Sequence, residues 1–72
     1  MKFYISFGQN HVHKLNGKVI DNDCLLLIHA DDHQEARKWA FAEFGTKWSM
    51  VYDEKQMKEY LHYFPRGIIH IE

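Results

Sequence analysis

Apolar and polar residues alternate over residues 2–7, with Phe3, Ile5 and Phe7 on one side and Tyr4 and Ser6 on the other. That period of two predicts a half-buried strand. Asn16-Gly17 predicts a tight turn, because a type I′ turn needs positive φ at both central positions. Residues 13–15 and 18–20 can pair across it as a short hairpin. Asp21-Asn22-Asp23 then interrupts regular structure. Residues 24–30 are apolar on both sides, which places them centrally in a sheet.

Helical spacing follows. Asp32 precedes His33-Gln34-Glu35 as an N-cap with an acidic residue at the third helical position. Ala36, Ala40 and Phe44 form an i, i+4, i+8 spine, flanked by Trp39 and Phe41, and Gly45 is placed to end the helix. Residues 47–52 alternate again, with Trp48, Met50 and Tyr52 on one side. Asp53 caps a second helix whose stripe is Met57, Tyr60, Leu61 and Phe64. Pro65 stops it, Gly67 allows a turn, and residues 68–71 read as a last strand. The sum is one α+β domain over residues 1–72, with a mainly antiparallel sheet of about four strands and two helices packed on one face. The other face would then carry Tyr4, Ser6, Ser49, Val51 and one set from residues 25–29. It would be apolar enough for a partner surface or a homodimer contact.

Composition narrows the class. A chain of 72 residues is small for a self-standing core, burying roughly 60% of its unfolded surface. Five Phe, four Tyr and two Trp offset this, since each buries about 150–250 Å² when packed. The single cysteine, Cys24, excludes an internal disulfide and fits a reducing compartment. Net charge is −1, without a basic stripe of the kind that nonspecific DNA binding requires. The apolar run from Leu25 to Ile28 is far short of the ~20 residues that span a bilayer. The N-terminal residues lack the apolar region of a signal peptide. The expectation is a soluble, cytoplasmic protein without a membrane partner.

Candidate chemistry concentrates in Phe7-Gly8-Gln9-Asn10-His11-Val12-His13. Glycine leaves room for close approach, and two imidazoles at i and i+2 project to one side of an extended backbone. As zinc ligands, His11 and His13 need partners such as Cys24 and Asp21 or Asp23. As an anion site, Gln9, His11, His13 and Lys14 can donate. Arg66 completes the set by bidentate contact, and Tyr52, Tyr63 or Trp48 offers a stacking surface for a base. Two histidines with two cations also suit metal-free phosphodiester cleavage, although neighbours at i and i+2 straddle a phosphate poorly. The plainest reading makes both histidines polar loop residues bonded to backbone. Asp21-Asn22-Asp23 lacks the glycine and distal glutamate of a calcium loop. No metal or cofactor is assigned.

The segments Phe7-Gly8-Gln9-Asn10-His11-Val12-His13, Glu35-Ala36-Arg37, Phe44-Gly45-Thr46-Lys47-Trp48-Ser49 and Tyr63-Phe64-Pro65-Arg66-Gly67-Ile68-Ile69 together resemble a group of small proteins encoded by bacteriophages and prophages. That resemblance covers most of the chain. It implies a bacterial host, a cytoplasmic setting and an accessory role, and it implies no reaction. The expectation is a non-enzymatic phage accessory protein that binds a host protein, as a host-takeover or anti-defence inhibitor, through the open sheet face or the histidine loop. The alternatives are nucleotide or nucleic-acid phosphate binding by Gln9, His11, His13, Lys14 and Arg66, and a small metal-dependent or histidine-based hydrolase.

Overall fold

A computed structural model describes residues 1–71. Strand β1 is Lys2–Ile5, and a hairpin follows with β2 at His13–Leu15 and β3 at Lys18–Ile20. Strand β4 is Cys24–His29, helix α1 His33–Phe44, strand β5 Val51–Tyr52, helix α2 Glu54–Tyr60 and strand β6 Gly67–His70, with a 3-10 turn over Leu61–Tyr63 before β6. The main sheet runs β5-β1-β4-β6. β1 is antiparallel to β4 and β5, while β6 lies parallel to β4, with Leu25 opposite Ile68. The α+β class and the four-stranded, mainly antiparallel sheet are as expected from the sequence, with the hairpin forming a second, two-stranded sheet.

Local signals place the elements. Asn16 and Gly17 take φ of 51° and 78°, as a type I′ turn requires. The Asp32 carboxylate accepts the N–H of Glu35 at 2.8 Å and starts α1. At the other end, Gly45 turns to φ 62° and donates its N–H to Phe41. Asp53 caps α2 in a reciprocal box: its carboxylate accepts the N–H of Gln56, whose side chain accepts the N–H of Asp53. Such boxes satisfy two orphan helix donors at once.

The helices divide between the two faces of the sheet, which corrects the expectation that they share one. Phe3, Ile5, Leu26 and Ile28 meet Ala36, Ala40 and Phe44 of α1, together with Ile20 from the hairpin. Tyr4, Leu25 and Leu27 meet Met57 of α2, with Leu61, Phe64 and Ile68 packed around them. The cause is the continuous apolar run in β4: each side of it needs a cover, and one helix supplies each. Leu25 and Leu26 are both 0% exposed. The apolar face that suggested a dimer contact therefore lies inside the molecule.

The segment before β5 departs from a straight strand. Ser6 donates its N–H to Met50 and accepts that of Ser49, while the N–H of Met50 goes to the Ser6 hydroxyl. Two residues thus face one, the count of a β-bulge. The extra residue reverses the parity of the alternation. Trp48 and Val51 share the α1-side core, and Met50 is half exposed. Val51 therefore does not lie on the far face, where simple alternation would put it. The second helix also stops sooner than residue 64, tightening into the 3-10 turn after Tyr60.

Side chains occupy the backbone of both sheet edges. His33 Nε2 donates to the Val51 carbonyl at 2.9 Å on β5. From the hairpin, Asn16 Nδ2 donates to the Ile71 carbonyl at 2.7 Å, and Lys18 Nζ donates to that of His70.

Two buried acidic side chains couple folding to alkaline pH. Burial raises the Tyr4 phenol above its ordinary 10.0, and the Glu54 carboxylate adds to the rise. Burial likewise lifts the Cys24 thiol above 9.0, against the opposing Arg66 charge. The unfolded chain loses these protons first, so the stability they contribute is complete below their ordinary values and is lost as pH rises through the raised ones. Urea midpoints taken from about pH 8 to about pH 11 should fall, and Tyr4→Phe should flatten that fall. An unchanged slope in Tyr4→Phe would show that the phenol titrates alike in both states.

Candidate functional site

Residues 8–11 form a turn closed by the His11 N–H on the Gly8 carbonyl at 2.9 Å. The His11 ring lies back against Gly8: a β-carbon there would sit 3.2 Å from Nδ1. Here glycine serves close approach, as its place in the segment suggests. His11 Nδ1 is buried without a hydrogen-bond partner among the described residues.

His13 faces different surroundings. Its Nε2 donates to the Lys47 carbonyl at 2.7 Å, and its ring packs on Phe7 and Phe44 at 5.4 and 4.6 Å. This histidine ties the hairpin to the end of α1. Gln9 and Lys14 are exposed.

Arg66 is engaged elsewhere. Nη1 lies 3.1 Å from the Asp21 carboxylate, Nη2 donates to the Val19 carbonyl at 2.9 Å, and its own N–H reaches Asp23 at 2.8 Å. The guanidinium thus fastens β3 and the following loop to the start of β6. The geometry supports fold-holding roles for His13 and Arg66. Among the described residues, no three His, Cys, Asp or Glu side chains lie together as a metal ion requires, and Cys24 is fully buried.

Two depressions mark the surface near the end of β4. One, of about 30 Å³, is lined by Leu27, His29, His70 and Ile71. The other is an open cleft beside α1 that includes Asp31, Glu35 and Trp39. Neither contains Ser6 or Cys24 beside a histidine base, as nucleophilic catalysis needs.

Aromatic side chains dominate two other parts of the surface. Tyr52, Tyr60 and Tyr63 stand in file, with centroids 5.2 and 6.3 Å apart and rings inclined by 33° and 30°. His62 continues the file, 4.0 Å from Tyr63. Tyr60 is 37% and Tyr63 65% exposed. Three elements build it: β5 delivers Tyr52, the last turn of α2 Tyr60, and the 3-10 turn Tyr63. On α1, the Arg37 guanidinium lies over the rings of Trp48 and Phe41 at 5.3 and 5.9 Å. The sequence marks Tyr60 as part of a buried stripe and Phe41 as a flank of the core. The i, i+3 spacing of Tyr60 and Tyr63, across the end of a helix, was the available signal for the file.

No protein family, no curated protein and no solved structure matches this chain.

Proposed function

We propose that this chain is a non-enzymatic binding protein that engages another protein through the file of Tyr52, Tyr60, Tyr63 and His62. The file is the observation that carries the reading. Tyrosine gives large, rigid, amphipathic contact area with few rotamers to immobilise, and it is enriched among residues that dominate binding energy. Successive rings are inclined to one another by 30–38° at centroid separations of 4.0–6.3 Å. Tyr60 and Tyr63 are exposed within this file, which gives a partner protein an amphipathic surface to cover. The resemblance to small phage proteins adds a setting: an accessory factor acting on a host protein in the bacterial cytoplasm. No helix of the described residues is long and apolar enough to cross a membrane.

The test uses wild type and Tyr63→Ala as bait in bacterial lysate, followed by calorimetry with the purified partner. Tyr63→Ala should weaken binding about tenfold or more, roughly 1.4 kcal/mol, with little change in stability. Gln9→Ala combined with Lys14→Ala should leave affinity unchanged. The reverse pattern would move the protein-binding site to the histidine loop.

A further inference from the structure

Arg37 is held and yet unpaired. Its guanidinium rests on Trp48 and Phe41 at 5.3 and 5.9 Å, and those two rings meet edge to face at 5.0 Å. Trp48 is itself fixed, its Nε1 donating to the Gly45 carbonyl at 3.0 Å. The indole under the cation is therefore anchored. Arg37 forms no salt bridge among the described residues. Its helix supplies no carboxylate within reach: the residues three and four away are Gln34, His33, Ala40 and Phe41. The nearest acid along the chain, Glu35, is bonded to Lys38 at 3.4 Å. Phe41 is 49% exposed beside the cation.

An arginine stacked on aromatic rings keeps its five donors in a fixed fork, matched to a carboxylate's two oxygens. Because the rings already orient it, little rotamer freedom is lost when it binds. We infer that Arg37, Phe41 and Trp48 form a docking site for an acidic, apolar peptide segment, in which a glutamate or aspartate pairs with Arg37 and a neighbouring apolar side chain covers Phe41. The charge pattern selects this occupant. One cation without a carboxylate partner among the described residues, beside an exposed aromatic ring, answers one carboxylate beside an apolar group. A nucleic-acid backbone calls for several clustered cations, and Lys38 is already paired with Glu35.

This surface extends the protein-binding reading beyond the tyrosine file, and the two can fail separately. The probe is a capped tripeptide of leucine, glutamate and phenylalanine, with its glutamine analogue as control, titrated to about 1 mM while amide, indole and guanidinium N–H resonances are followed. The glutamate peptide should shift the Trp48 indole and Arg37 Nε–H signals saturably. The glutamine analogue should bind at least about tenfold more weakly, as loss of a charge-assisted pair predicts. Arg37→Gln should abolish the difference between the peptides, Arg37→Lys should restore only part of it, and Tyr63→Ala should leave it intact. Equal binding of the two peptides, shifts centred away from Trp48, or no saturable shift would overturn the inference. Stronger displacement by an oligothymidylate than by the peptide would assign the shelf to nucleic acid instead.

Discussion

Alanine at Leu25 and alanine at Leu26 should each remove about 2–5 kcal/mol of folding stability. The two side chains leave β4 in opposite directions and are equally inaccessible, at 0% exposure. Leu26 lies in the cluster under α1 and Leu25 in the one under α2. A domain of 72 residues has roughly 4–11 kcal/mol of stability in total, so either variant should be largely unfolded well below the wild-type urea midpoint. The comparison between them matters more than either value. If α2 left its face uncovered, Leu25→Ala would change stability by only about 0.5 kcal/mol, the usual range for surface substitutions, while Leu26→Ala kept its full effect.

A second contrast tests the bulge. Trp48→Ala should destabilise by about 3–5 kcal/mol, because the indole is 9% exposed and supports both Phe41 and Arg37. Met50→Ala should fall within about 0.5 kcal/mol of wild type, since Met50 is 50% exposed. In an unbroken strand these residues, two apart, would share a face and behave alike. Denaturation midpoints of the two variants decide between the geometries. If Trp48→Ala yields no folded protein, Trp48→Phe against Met50→Ala serves the same purpose, and equal midpoints would restore the straight strand.

Elements specified by neighbours in sequence were legible before the structure. The Asn16-Gly17 turn, the Asp32 and Asp53 caps and the central strand at Cys24–His29 depend on residues a few positions apart. The bulge depends on Ser6 meeting Ser49 and Met50 across the sheet. No window around residue 48 contains that information. The division of the helices was written in the chain: an apolar run on both sides of β4 requires two covers. Placing both helices on one face left that requirement unmet. The histidine loop shows the same limit. Room for close approach at Gly8 is a local property, whereas the group that fills it, the His11 ring, is shown only by the fold. The engagement of His13 by Lys47 and of Arg66 by Asp21 and Val19 joins distant segments, so these two of the five residues that read as one anion site have attachments that no local window could reveal.

The occupied sheet edges bear on how the chain behaves when it is abundant. An unpaired strand edge is a template on which a second copy can add its own strand, and repeated addition leads to fibrils. Here β5 is only two residues long, and the Val51 carbonyl is taken by His33. At the far edge, Asn16 and Lys18 hold the carbonyls of Ile71 and His70. A lysine at that position also sets a charge against any incoming strand. The hairpin and the first residue of α1 thus occupy carbonyls that an incoming strand would need, and oppose edge-to-edge addition of a second copy.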